Sequence, residues 1–290
     1  MEVNFAQLNV LFLNALTEIS LLVIVSLGLT VTVGLMGVIN LAHGELMMIG
    51  AFTVVVLTQA HIPLIIAMLA AAIVSGIIGL LIERLIIRWL YGREIYTILA
   101  TAGLSMFLIQ VAKFIFGSDS RSIPMPGGTV TIGSAPISTY RLLMILLAIL
   151  LGVVTYLIFT RTRYGLEARA AVLNPNMAAA VGINASRTNM WTFAFGSALA
   201  GIAGAILAPF TTVTPTMAAP FLARAFMTVI VGGPAILLGA SASAGALGLI
   251  ESVVAWVTTP VFGQVALLAC ALVLLRIFPR GISGSWGRSL

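Results

Sequence analysis

The sequence predicts an all-α, polytopic transmembrane helical bundle of about eight or nine spans, with broken or re-entrant helices among them. Two observations carry this. Hydrophobic residues make up 61% and charged residues 8% of the 290 positions, whereas soluble domains carry about 25% charged residues; the mean hydropathy is +1.18. Continuous apolar stretches also recur along nearly the whole length, each near the roughly 20 residues a helix needs to cross a bilayer. Their continuity, without strict apolar–polar alternation, favours helices over a barrel, because only these two architectures satisfy the backbone in lipid.

Reading apolar runs against Gly, Pro and polar breakers gives spans at Leu11–Leu35, Leu46–Gln59, Pro63–Leu90, Ile95–Phe116, Arg141–Phe159, Asn189–Pro209, Leu222–Leu238, Ala240–Thr258 and Val261–Phe278. The second and seventh are short for a crossing and bounded by Gly or Pro, the pattern of broken helices beside a transport pathway, and they hint at an inverted internal repeat. The first apolar run continues past any plausible cleavage site, and the start carries Glu2 but no Lys or Arg, unlike the positive start of a signal peptide, so the N-terminus is expected to stay attached.

Arginines at span ends report orientation. Arg84, Arg88 and Arg93 share one loop, Arg161, Arg163, Arg169 and Arg187 another, and Arg276, Arg280 and Arg288 the C-terminal end, ten in all. Only Lys113, Arg121, Arg141 and Arg224 fall on the opposite side. A cytoplasmic C-terminus follows, and with nine crossings an external N-terminus. The whole chain is then one transmembrane domain, 1–290, with an external loop at 117–140 and a cytoplasmic loop at 161–188. The external loop, rich in Gly, Ser and Pro, reads either as a cap or docking surface or as a plain connector. The net charge of +6 belongs to these span ends and does not imply nucleic acid.

The cytoplasmic loop has helix-forming composition over Leu166–Val172. A second short helix follows through Asn176–Val181, with Asn174 as N-cap, Pro175 at the first helical position and Gly182 as the C′ glycine. Such a helix either enters a groove on another protein or simply connects two spans.

Ionisable groups inside a membrane are costly. Glu45, just after His43 and Gly44, either satisfies a half-helix N-terminus or lines a pathway. Glu251, on a face with Gly245, Gly248 and Ser252, either glues helices together or contacts the path. Glu18 reads as interfacial, and Glu83 as a snorkelling helix end paired with Arg84 and Arg88. Gly196, Ala200 and Gly204 repeat at small-xxx-small spacing, and Gly28, Thr32 and Met36 do so less clearly.

Enzyme chemistry finds little support. A Ser–His dyad from Gly103-Leu104-Ser105-Met106 with His43 or His61 would make an intramembrane hydrolase, but no oxyanion hole is visible. Two His and one Cys are too few for a zinc site, Cys270 cannot form an intrachain disulfide, and Lys113 sits too near a span end for a Schiff base. No cofactor is expected. No Walker A pattern occurs, so any ATP hydrolysis belongs to a separate chain.

The stretch Arg163-Tyr-Gly-Leu, Arg169-Ala and Asn174-x-x-Met177-Ala178-Ala179-x-x-Gly182-Ile183-Asn184 resembles the coupling loop of permeases from branched-chain amino-acid ABC importers. Gly37-Val-Ile-Asn40-Leu-Ala-His43-Gly44-Glu45-Leu-Met-Met-Ile-Gly50-Ala is similar to that family's N-terminal signature, and Leu99-Ala-Thr101-x-Gly103-Leu104-Ser105 to its fourth span. Phe193-Ala-x-Gly196-x-Ala-Leu-Ala200-Gly201-x-Ala-Gly204, Ala225-Phe226 leading to Val231-Gly232-Gly233, and Phe278-Pro279-Arg280-Gly281 follow in order. Departures occur at Pro234-Ala235-Ile236-Leu237-Leu238-Gly239, where a Gly-Ser turn is usual, and after Pro215-Thr-Met217, where Ala218 stands in place of an acidic residue. They concern the external end of the seventh span and substrate choice.

The resemblance implies a permease subunit of the bacterial cytoplasmic (inner) membrane for branched-chain amino acids, urea or small amides. Its implied partners are a second homologous permease, two cytoplasmic ABC ATPase subunits and an external substrate-binding protein. Asn174, Met177, Ala178, Ala179, Gly182 and Ile183 would couple to the ATPase; Asn40, His43, Glu45 and Glu251 are candidates for pathway or gate. The rival reading is a stand-alone channel or secondary carrier for a small polar solute. Such carriers bind a coupling ion through charged residues in broken helices, and here intramembrane carboxylates are sparse.

Overall fold

The computed structural model describes residues 5–132, 135–233 and 235–284. The all-α expectation holds: eleven helices and one small hairpin make up the described chain, and seven of the helices are long and apolar enough to cross a membrane. The described residues fall into two compact units, one of Met1–Ser26, Met125–Val153 and Arg224–Leu290 and the other of Leu27–Pro124 and Val154–Ala223.

Helix α1 (Phe5–Met36) contributes its first part to one unit and its second to the other. At 32 residues it is about 48 Å long, more than the roughly 30 Å hydrocarbon layer requires. It stops at Gly37, whose φ of +62° lies in the left-handed region that glycine enters without steric cost; the Gly37 N–H still donates to the Val33 carbonyl at 3.0 Å.

In the second unit, α2 (His43–Gln59) and α3 (Leu64–Leu85) pack with α8 (Ala185–Leu207), and α4 (Glu94–Phe116) lies against α2. Small residues let these backbones approach. Gly50 faces the Gly201 backbone, Gly204 faces the Met47 carbonyl, Gly79 faces Ser197, and Ser75 donates across to the Leu46 carbonyl at 3.2 Å. The stripe of Gly196, Ala200 and Gly204 read from the sequence therefore serves packing. Its Gly196 end meets Gly28 and Thr32 of α1, the weaker stripe. The third predicted span runs past the observed helix end: after Leu85 the chain turns into a 3-10 segment, Ile87–Leu90. There the Tyr91 hydroxyl donates to Glu83 Oε1 at 2.6 Å, and Arg88, one of the two arginines the sequence pointed to, acts electrostatically on the same carboxylate.

The loop after α4 is more ordered than a connector requires. Arg121 and Val213 exchange two backbone hydrogen bonds of 2.9 and 2.8 Å within the second unit. Strands β1 (Thr129–Ile132) and β2 (Ala135–Ser138) then form an antiparallel hairpin in the first unit, with Thr129 opposite Ser138 and Ile132 opposite Ala135.

The first unit takes in most of α5 (Thr139–Arg161) and of α9 (Ala219–Gly232), each of which lies partly in the second, together with α10 (Ile236–Val257) and α11 (Pro260–Ile277). Leu22, Val231, Ala244, Leu247, Leu267 and Ala271 form its buried core. Gly248 presses on the Ile19 backbone of α1. The seventh predicted span overran here as well. Helix α9 ends at Gly232, followed by Gly233 at φ +78°. Ser283 Oγ ties this break, donating to the Gly232 carbonyl at 2.5 Å and accepting from Ala235 N–H at 3.0 Å. The Gly233 end of the seventh span thus lies beside the C-terminal segment, on the C-terminal side of the unit, and not on the opposite face as the sequence suggested.

Candidate functional site

Three polar regions interrupt the apolar bundle. The first is the segment between α5 and α8, which forms α6 (Arg163–Leu173) and α7 (Pro175–Ala180). Thr162 caps α6, its Oγ1 accepting from Gly165 N–H at 3.2 Å. Asn174 caps α7, its Oδ1 accepting from Met177 N–H at 3.0 Å, with Pro175 in the first turn. The helix closes in a Schellman motif. Gly182, at φ +87°, donates to the Ala179 carbonyl at 3.0 Å, and Ile183 donates to the Ala178 carbonyl at 2.9 Å. Asn184 then caps α8 through Arg187 N–H. Side-chain capping by asparagine is worth about 1 kcal/mol. Asn174→Ala is therefore expected to raise amide hydrogen exchange across residues 175–180 about fivefold, leaving α8 unaffected.

The six residues singled out in this segment divide by exposure. Asn174, Met177, Ala179 and Gly182 are exposed, Ile183 is half-buried, and Ala178 is 3% exposed. Leu173, Met177 and Val181, spaced four apart, present large apolar side chains outward at 86%, 62% and 71% exposure. The segment is braced from beneath. The Tyr164 and Thr192 hydroxyls share a 2.7 Å hydrogen bond, and Phe159 meets Phe195 edge-on at 5.6 Å. Burial is the main cause pushing the Tyr164 hydroxyl pKa up to about 12, so it stays protonated at physiological pH.

The second region is the break between α1 and α2. Asn40, His43 and Glu45 are all buried there, at 1%, 0% and 7% exposure. Asn40 Oδ1 accepts from Ala42 N–H at 3.0 Å, an Asx turn that leads into α2. Thr101 of α4 takes up the free Leu41 N–H at 3.2 Å while donating to the Thr97 carbonyl at 2.9 Å. Glu45 lies in the first turn of α2, where the helix dipole favours a carboxylate, and has the Ser105 hydroxyl as a hydrogen-bond partner. The His43 ring sits against Gly28. Sequence reasoning named Asn40, His43 and Glu45, but neither Thr101 as the partner of the Leu41 N–H nor Ser105 as the partner of Glu45.

The third region was missed as a group. Arg224 of α9 is 7% exposed, and its Nη1 donates to Glu251 Oε1 of α10 at 2.9 Å. The same Nη1 lies 3.8 Å from Glu18 Oε2 of α1. Counting Arg224 among the residues flanking spans, and Glu18 as interfacial, hid this ion pair. The available signal was that opposite charges inside apolar helices need one another. Arg141, at the start of α5, donates to Asn14 Oδ1 at 2.6 Å, one turn before Glu18, and acts electrostatically on Glu18.

Among the described residues no group of three or more His, Cys, Asp or Glu could hold a metal ion. Two clefts of about 450 and 510 Å³ on the second unit are almost wholly apolar, lined by residues such as Phe52 and Phe116, or Ile77 and Trp191. They lack the polar groups that a site for a small polar solute needs.

Long apolar helices, two short apolar helices beside glycine breaks, and polar groups buried at those breaks define a multi-pass membrane protein of the permease type. Residues 11–277 match the family described as branched-chain amino acid transport system / permease component, and the chain belongs to that family. It is similar to the high-affinity branched-chain amino acid transport system permease protein BraD of Pseudomonas aeruginosa, 28% identical over 290 aligned positions that cover 93% of this chain and 94% of the relative. It is also similar to the permease protein LivH of the same kind of system, at 28% identity in Escherichia coli K12 and 27% in Salmonella typhimurium, each covering 93% of this chain and 94% of the relative. No solved structure matches it.

Proposed function

We propose that this chain is the membrane permease subunit of an ATP-binding-cassette importer that moves branched-chain amino acids, or related small amides or urea, inward by alternating access. The observation that carries this reading is the capped α6–α7 segment with its outward apolar row of Leu173, Met177 and Val181. Large apolar side chains left exposed at the end of α6, within α7 and at its C-cap fit a hydrophobic groove on a partner. The partner is a cytoplasmic ABC ATPase, present as two subunits. A second homologous permease completes the path, and an external binding protein delivers the solute.

In this reading the protein sits in the cytoplasmic membrane with residues 161–188 and the C-terminus inside and the 117–140 loop outside, as the arginine distribution supports. Asn174, Gly182 and Ile183 hold α7 in shape; Met177, with Ala179, makes the contact, and buried Ala178 seats the helix on its own chain. The chain hydrolyses nothing itself. ATP binding shifts the permease between outward and inward states only through different affinities for the two. Asn40, His43, Glu45 and Glu251 are assigned to the pathway or its gates.

Co-purification of the tagged chain from mild detergent tests the reading, with identification of stoichiometric partners and assay of ATPase activity. Met177→Arg places a charge on an exposed position and leaves the internal packing alone. It is expected to lower associated ATPase activity and solute uptake at least tenfold with normal membrane insertion. Ala178→Arg is less informative, because its side chain would be forced into the interior. An ATPase partner that stays bound and fully active in Met177→Arg would overturn the coupling assignment.

A further inference from the structure

The ion-pair cluster of the first unit has a chemistry that a purely structural salt bridge does not need. One guanidinium nitrogen of Arg224 serves two carboxylates, at 2.9 Å to Glu251 and 3.8 Å to Glu18. The second oxygen of Glu251 and the Oε2 of Glu18 are buried and make no hydrogen bond among the described residues. A carboxylate accepts about four hydrogen bonds, and a buried ion pair holds its own only when its remaining lone pairs are satisfied. These lone pairs are short of donors. With Arg141, which acts on Glu18 from α5, the cluster has two positive and two negative groups and is neutral overall.

We infer that Arg224, Glu251 and Glu18 form a transient binding site for the charged backbone of a zwitterionic amino acid, Arg224 taking the α-carboxylate and the two glutamates the α-ammonium. This rests on the permease reading and narrows its substrate class. A neutral cluster buried in a membrane can open only if its charges find new partners. A zwitterion supplies one charge of each sign, so the Arg224–Glu251 bond exchanges for two new pairs with no change in net charge. A lone cation or anion would leave an uncompensated charge, and an uncharged amide or urea would leave both bare. An ammonium brings three N–H donors, which match the unmet acceptors on the glutamates, and a guanidinium takes a carboxylate through two parallel bonds.

The surroundings suit an aliphatic side chain. Leu22 lies one turn beyond Glu18 on α1, and Leu247 one turn before Glu251 on α10; both belong to the buried apolar core of the unit.

The test uses the complete importer, this chain with its partner subunits, in cells or proteoliposomes, and measures uptake of labelled leucine and of labelled urea. Two variants are compared with the unmodified chain. Arg224→Met with Glu251→Met removes the pair together, a change that a merely structural ion pair tolerates. Glu251→Gln keeps the side-chain shape and removes one charge. The inference expects leucine uptake in the unmodified importer and at least a tenfold loss in Glu251→Gln, seen first as a higher KM. In the double variant it expects the same loss with normal membrane accumulation. Leucine uptake at the unmodified level in either variant overturns the inference and leaves the permease reading standing. Should the double variant fail to accumulate, the KM for leucine of Glu251→Gln, measured on the protein that reaches the membrane, decides. Uptake of urea but not leucine by the unmodified importer overturns it as well, while upholding the importer. An unmodified chain that moves neither solute with its partners overturns the substrate reading from which the inference starts.

Discussion

Arg224→Met alone is expected to destabilise the first unit by about 3–5 kcal/mol, because it leaves Glu251 buried without its counter-charge. That approaches the whole stability of many proteins, about 5–15 kcal/mol, so the variant should accumulate poorly in the membrane and melt early in detergent. Adding Glu251→Met should restore most of the loss, since the second change removes the stranded carboxylate. A double-mutant cycle on melting temperature in detergent measures the coupling directly. Additive effects of the two changes would contradict the pairing.

The second large effect is expected at the closest backbone crossings of the other unit. An alanine Cβ at Gly204 would run into the Met47 carbonyl, and one at Gly50 into the Gly201 backbone. Neither obstacle is a side chain that can rotate away, so helices α2 and α8 must separate. The cost of Gly204→Ala is expected at the upper end of the roughly 1–3 kcal/mol typical of overpacking, and Gly204→Leu should prevent assembly. Gly103 is the control. Nothing lies within 4 Å of an added Cβ there, and Gly103→Ala should be neutral or gain up to about 1 kcal/mol of helix propensity. Thermal melting of the three purified variants by size-exclusion chromatography separates these outcomes; equal stability of Gly204→Ala and Gly103→Ala would contradict the close packing.

Spans were legible because hydropathy over twenty residues is a strong local signal, and the seven long helices follow it to within a few residues at most ends. Errors arose where an apolar run continues past a backbone break, at Leu85 and at Gly232, since composition does not register the change of backbone angle. The α7 helix was readable to its caps because Asn174, Pro175 and Gly182 act on the backbone within a few residues of themselves. Which of the three alanines faces inward was not readable, because that depends on what lies beneath: the packing selects Ala178. The hairpin escaped notice because Thr129–Ile132 is a four-residue run in a stretch dominated by turn formers.

The charged cluster was illegible for a different reason. Glu18, Arg224 and Glu251 lie on three helices far apart in the sequence, so only tertiary structure makes them neighbours. Counting arginines by side treats each as a span-end residue, and Arg224 sits inside α9 instead. The Asn40–Glu45 break was read correctly as polar, but its partners Thr101 and Ser105 come from α4, sixty residues away, and follow no local rule.

In the proposed reading, transport through this chain is driven by a separate ATPase docked on α7. It is tested most directly by solute uptake into proteoliposomes made from the co-purified complex, with the external binding protein supplied, measured with and without internal ATP. Uptake is expected to require ATP and to fall at least tenfold in Met177→Arg. Uptake by the isolated chain at the same rate without ATP or any ATPase partner would contradict it and make the protein a channel or carrier acting alone.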